Sequence, residues 1–178
     1  MNIIEKAEML ATIAHQAINQ RRRYTQEPYI NHPIAVMNIV KTVPHTDEML
    51  AAALCHDVVE DTSVTLETIA KYLGPVVTQL VSELTNVSVF TDGNRETRKA
   101  LDRAHTAKCS AEAATVKLAD IIHNSESILK YDPKFAKIYM HEKRLLLEVL
   151  THGDQSLHAI ASKVVHGYFT TIAEQEQL

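Results

Sequence analysis

Apolar residues in this chain return every three or four positions, and that spacing constrains the fold more than any other feature. Over about Ile3 to Asn19, Ile4, Ala7, Leu10, Ala11, Ala14 and Ile18 fall on one stripe, the pattern of a helix with a single buried face. The period returns in PIAVMNIVKTV, opened by Pro33 with Asn31 or His32 near its cap, and in DEMLAAALCHDVV, capped at Thr46 or Asp47. SVTLETIAKYLG is a short helix stopped by Gly74, and Pro75 opens another through VVTQLVSELTNV. After the turn FTDGN come RETRKALDRAHTA and AEAATVKLADIIHNSESILKY, the latter capped by Ser110 and closed by Asp132-Pro133. Two more helices are expected over about 134–151 and 154–173. Strand-type alternation nowhere survives more than a few residues. The expectation is an all-α bundle of about eight to ten helices, one domain over 1–178, with the tail AEQEQL fraying from about 173.

Composition narrows the function classes. Four glycines and a 5% aromatic content among 178 residues argue against a barrel or sandwich, and 46% apolar residues suffice for one core. The formal charge of −4 gives no global attraction for nucleic acid. No apolar run approaches the ~20 residues that span a bilayer, and MNIIEKAEML carries charge where a signal peptide would be apolar. Cys55 and Cys109 form no CxxC pair and read as reduced thiols, so the cytoplasm is the expected location. A homo-oligomer is left open.

The chemistry concentrates in LCHDVVEDT. His56, Asp57, Glu60 and Asp61 occupy six positions at the end of an apolar helix, where charge is costly unless paired, hydrated or bound to metal. With a helix running from Met49 to Glu60, His56/Glu60 and Asp57/Asp61 are neighbours four apart. His56 and Asp57 then offer one cation a nitrogen and an oxygen, while Glu60 and Asp61 hold water or substrate. The bland alternative is a solvated helix end with a surface histidine. The two further acids one turn later, Glu60 and Asp61, argue against it, and a metal would need more ligands from elsewhere, for which two residues stand out. His32 stands at a loop-to-helix junction in PYINHP, and Asp120 interrupts the apolar ATVKLADII, where an isolated carboxylate calls for a cation. Asn124, four residues on, shares the face of Asp120 and can donate to a phosphate oxygen. Two histidines and two carboxylates suit Mn²⁺ or another borderline ion better than Ca²⁺ or a structural zinc.

The order His…His-Asp…Asp, with gaps of 24 and 63 residues, is similar to the ligand pattern of HD phosphohydrolases. EPYINHPIAV, AAALCHDVVEDT and VKLADIIHN further resemble the hydrolase domain of the RelA/SpoT alarmone enzymes, over about residues 5–150. The length leaves no room for synthetase or regulatory domains, which implies a stand-alone small alarmone hydrolase in the layout of the metazoan SpoT homologues. The resemblance implies one Mn²⁺ held by His32, His56, Asp57 and Asp120, with Glu60 and Asp61 orienting and activating water in roles not separable from each other. It implies hydrolysis of the 3′-diphosphate of a guanosine 3′,5′-polyphosphate, releasing pyrophosphate. Arg23, aligned without a gap from Pro28, would stack on the purine. Tyr24 stands where the family has Lys, Gln26 where it has Gly, and Asn124 and Ser127 keep polar positions near ribose or phosphate. Arg23, Tyr24, Asn124 and Ser127 are therefore the expected substrate contacts.

LADIIHNSES departs from the family's LADRLHNxR[TS]: Ile121 and Glu126 replace two arginines, which opens adenosine counterparts or the 2′-phosphate of NADPH as substrates. Lys117, one turn before the face of Asp120, is a candidate to neutralise the diphosphate, and Tyr139, Lys143 and Arg144 are candidates for the far side of the pocket, which spacing alone does not fix. Arg95, Arg98 and Lys99 read as exposed helix charge, and His15 and His123 as structural hydrogen bonders. Two other readings compete: a phosphatase removing one phosphate, and a nucleotide sensor without turnover. The Glu60-Asp61 pair favours turnover.

Overall fold

A computed structural model describes residues 1–175. Among the described residues nine α-helices follow in order: α1 (Ile3–Ala17), α2 (Asn31–Val40), α3 (Asp47–Cys55), α4 (Val58–Asp61), α5 (Leu66–Leu84), α6 (Arg95–Thr106), α7 (Ala111–Tyr131), α8 (Pro133–Leu147) and α9 (Gln155–Gln175). Among the described residues the only β-type pairing is an isolated bridge between Arg21 and Pro28. The all-α expectation is borne out, and its physical basis is local. Asn2 and Glu5 close a capping box on α1, and Thr46, Thr65, Asn94, Ser110 and Asp132 accept backbone N–H bonds at the starts of α3, α5, α6, α7 and α8. Gly74, with φ 84°, kinks α5 immediately before Pro75, so its two halves are the two helices expected there. α9 runs through Gln175, and the rest of that tail lies outside the described residues.

One helix differs from expectation, and at the decisive place. DEMLAAALCHDVV is not continuous: α3 ends at Cys55, α4 begins at Val58, and His56 and Asp57 lie between them. The ring Nδ1 of His56 lies 2.7 Å from the carbonyl oxygen of Ala53. That carbonyl is the acceptor a continuing helix would offer to the amide of Asp57. Asp57 takes φ −101° and ψ −7° at the joint, and only one further turn follows. The His-Asp pair therefore sits in the joint and the Glu-Asp pair on the short helix that follows it, not on two rows of one helix.

α3 is buried along its length from Met49 to Cys55 and packs against α1, α2, α5 and α7. The fully buried alanines Ala51, Ala52 and Ala53 on α3, with Ala7 and Ala11 on α1, keep the side chains at that crossing small. α2, α3 and α7 also pack pairwise. That triangle sets the site, because each of the three carries or adjoins one of the predicted metal ligands.

Candidate active site

His32 lies in the first turn of α2, His56 and Asp57 at the α3–α4 break, and Asp120 midway along α7. The fold brings all four to one point. Asp57 Oδ2 is 3.0 Å from His56 Nε2 and 3.5 Å from His32 Nε2; Asp120 Oδ1 is 3.2 Å from His32 Nε2 and 3.7 Å from His56 Nε2. His32, His56 and Asp57 have ligand atoms all within 4.8 Å of one another, close enough to hold one ion. Despite these short approaches, both buried Nε2 atoms lack a hydrogen-bond partner of acceptable geometry.

The outer contacts explain which nitrogen is free. In the ring form that can bind an ion, His56 Nδ1 keeps the proton that bonds the Ala53 carbonyl and Nε2 carries the lone pair. Burial lowers this imidazole, but Asp57 and Asp120 outweigh burial and raise it well above its ordinary value, so an ion at Nε2 would take the place of a proton. His32 Nδ1 stands 2.7 Å from His123 Nδ1, with the rings stacked at 4.9 Å. Burial and the neighbouring His32 push His123 down to about 4. A neutral His123 accepts from His32 Nδ1, and the lone pair of His32 also falls on Nε2. His123 is thus a hydrogen bonder behind His32, as its sequence reading had it.

Burial opposes ionisation of Asp57 and Asp120, yet both are held below the usual carboxylate range, Asp57 chiefly by His56 and Asp120 chiefly by Lys117. Asp57 also accepts from the Tyr29 hydroxyl at 2.6 Å, and Asp120 from Asn124 Nδ2 at 2.6 Å. Two imidazoles and two carboxylates, converging in a largely buried cluster, fit a divalent cation of borderline softness.

Glu60 and Asp61 stand at the solvent-facing edge of this cluster on α4. Glu60 accepts from the backbone N–H and the side-chain Nδ2 of Asn86, at 2.7 and 2.8 Å. Asp61 accepts from Gln20 Nε2 at 2.7 Å, and Gln20 Oε1 in turn contacts His15 Nδ1 at 2.7 Å. Partial desolvation raises both carboxyls above their ordinary values, although Lys117 and Asn86 act against this for Glu60 and Gln20 for Asp61. Both are stronger bases than a surface carboxylate while keeping unused acceptor lone pairs.

Where the substrate contacts were expected, the structure sorts the arginines differently from an ungapped count. Arg22, not Arg23, reaches Asn124 Oδ1 at 3.0 Å and Ser127 Oγ at 3.3 Å, with its guanidinium 6.0 Å from the Tyr29 ring centre. Arg23 is 74% exposed and lies 3.9 Å from Asp132. Tyr24 donates to Asp132 at 3.0 Å and stacks on Tyr131 at 5.9 Å. Asn124 and Ser127 therefore group with Arg22, whereas Arg23 and Tyr24 group at the α7–α8 joint. A tight turn causes the difference: Arg22 N–H bonds Glu27 O, Gln26 N–H bonds Arg22 O, and Gln26 takes φ 60°, a conformation that suits glycine. Ile121 is fully buried in the core, so the arginine it replaces by resemblance has no counterpart in the pocket. Asn86, Gln20 and Tyr29 escaped the sequence reading; only Tyr29, inside the EPYINHP motif, carried a signal.

The HD-domain family profile matches residues 7–143. The chain belongs to the HD-domain family. This HD-domain protein is 36% identical to the guanosine-3′,5′-bis(diphosphate) 3′-pyrophosphohydrolase MESH1 of Xenopus tropicalis, over 70% of this chain and 70% of that one. It is 35% identical to the protein of the same name from Danio rerio, over 75% and 76%. A solved structure, reported as a metazoan ortholog of SpoT that hydrolyzes ppGpp and plays a role in starvation responses, matches with a TM-score of 0.82 at 28% identity, covering 94% of this chain and 96% of that one. The resemblance read from HDVVEDT and LADIIHN is borne out. No helix among the described residues is long and apolar enough to cross a membrane.

Proposed function

We propose that this HD-domain protein is a Mn²⁺-dependent 3′-pyrophosphohydrolase of guanosine or adenosine 3′,5′-polyphosphates, releasing pyrophosphate and a nucleoside 5′-di- or triphosphate. The observation that carries it is the pair of buried, unpartnered Nε2 atoms of His32 and His56 facing Asp57 and Asp120, with the Glu60-Asp61 pair beside them. In this reading residues 1–178 form one hydrolase domain, and reduced Cys55 and Cys109 suit a cytoplasmic setting.

His32, His56, Asp57 and Asp120 would hold one ion, which supplies Lewis-acid chemistry: charge neutralisation on a phosphoryl oxygen and a better water nucleophile. Asn124 and the guanidinium of Arg22 position the nucleotide, with Ser127 behind them. Glu60 and Asp61, held by Asn86 and Gln20, take the proton of the attacking water on their free lone pairs. Lys117, 3.6 Å from Asp120, offsets the negative charge gathered there. A screen of ppGpp, pppGpp, ppApp and NADPH with Mn²⁺ tests the assignment. Pyrophosphate is the expected product, and orthophosphate alone from every substrate would overturn it.

The regrouping of arginines has its own expected result. Arg22→Ala raises KM for the nucleotide at least tenfold, since it removes the guanidinium that organises Asn124 and Ser127. Arg23→Ala, at an exposed position, changes KM by less than threefold. Steady-state kinetics of the two variants side by side decides between them.

A further inference from the structure

A small cavity lies beside the hydrolytic cluster without belonging to it. Its volume of about 70 Å³ is bounded by Asn86, Lys99, Arg103, Lys117, Glu142 and Lys143, among others. That space exceeds the requirement of a single water several-fold and accommodates a phosphoryl group's oxygens. The cavity shares two walls with the site above: Asn86, which holds Glu60, and Lys117, which faces Asp120.

The charge on these walls is unbalanced. Both acids are already engaged. Asp102 accepts from the N–H groups of Val87 and Ser88 and from the Ser88 hydroxyl, at 3.2, 2.9 and 3.0 Å, with Lys99 3.5 Å away. Glu142 holds Arg95 through both carboxylate oxygens, at 2.6 and 3.0 Å. Lys143 and Arg103 remain: among the described residues neither side chain has a carboxylate within ion-pair distance or a hydrogen bond. The Lys143 ammonium lies 4.8 Å from the centre of the Tyr139 ring, and the Tyr139 hydroxyl is itself buried without a partner. Burial, with Lys117 close by, pushes the Lys143 amine down to about 8. Asp120 and Glu142 favour this cation only from beyond ion-pair distance, and a partly desolvated ammonium without a direct partner is costly unless a ligand supplies one.

We propose that this cavity is a diphosphate-anion subsite, in which Lys143 and Arg103 hold the distal phosphoryl group of the leaving 3′-diphosphate. The proposal rests on the reaction assigned above. An ammonium and a guanidinium on one small volume match the three outer oxygens of a terminal phosphoryl group with charge-assisted hydrogen bonds. A nucleotide carrying a single 3′-phosphate leaves both cations unpaired, so the subsite selects diphosphates over monophosphates.

Calorimetric titration of inorganic pyrophosphate into the whole protein, with no divalent ion added, tests this without turnover. Lys143→Met weakens pyrophosphate binding at least tenfold, Arg103→Gln weakens it several-fold, and Lys143→Arg stays within threefold of the unmodified protein. Lys163→Met, which removes an exposed charge on α9, leaves binding unchanged. Circular dichroism and melting curves report folding, and Lys143→Arg and Arg103→Gln keep the test open if Lys143→Met fails to fold. Absence of pyrophosphate binding by the unmodified protein, or equal binding by Lys143→Met, overturns the subsite. Binding that depends on Lys143, in a protein releasing no pyrophosphate from any nucleotide, keeps the subsite and removes the reaction.

Discussion

Glu60→Gln combined with Asp61→Asn is expected to lower kcat by about 10³-fold or more, within the range that positioned general bases contribute, while the fold and metal affinity persist. The reason is geometric. Neither side chain is among the four converging ligands, and each is held by a neutral donor, Asn86 or Gln20, that does not depend on the cluster. The amide variants preserve size, although a glutamine at position 60 accepts only one of the two Asn86 donors, and neither amide can accept the proton of the attacking water. The pH profile gives a second reading of the same event. Both carboxyls sit above their ordinary range because partial desolvation disfavours their anions. A base works only when deprotonated, so kcat/KM rises with pH through an acid limb displaced upward from the ordinary carboxylate range. Each single variant should alter that limb. Undiminished turnover by the double variant would overturn the proposed roles, and calorimetric metal titration shows whether the ion site was spared.

His56→Ala is expected to abolish metal binding and to destabilise the protein by about 3–5 kcal/mol, the usual cost of breaking a buried charge arrangement from one side. Three losses coincide. The Nε2 ligand disappears, the ring's bond to the Ala53 carbonyl is broken, and a cavity opens at a position that is 2% exposed. Asp57 and Asp120 are left facing each other with only His32 and Lys117 for compensation. Thermal melts with and without Mn²⁺ are the measurement. Binding to the folded state alone raises the melting temperature of the unmodified protein, whereas the variant melts lower and does not respond to the ion. A variant that kept the Mn²⁺ response would remove His56 from the ligand set.

How much of this was legible beforehand depended on the range of the interaction concerned. The helices were legible because period and caps act within a few residues: Thr46, Thr65 and Ser110 each bond a backbone amide three positions on. The break at His56 was not, since a single ring-to-carbonyl bond at Ala53 outweighs the helical propensity of MLAAALC. The four predicted ligands do converge, because a histidine before a helix and an aspartate inside an apolar one are conspicuous and need a common partner. Arg22 and Arg23 were indistinguishable as neighbours in QRRRY, and only the turn over Arg22–Glu27, with Gln26 in a left-handed conformation, decides which of them reaches α7.

The sequence by itself determined the helical architecture and singled out the side chains proposed here to hold an ion and accept a proton, since both are written in local spacing and in charges placed where apolar residues belong. The tertiary structure alone decided how those side chains are tuned and what lies beside them. Asn86 behind Glu60, Gln20 behind Asp61 and the unpaired Lys143 next to Lys117 come from segments distant in the chain. Their meeting follows from helix packing, which leaves no periodic mark in a sequence.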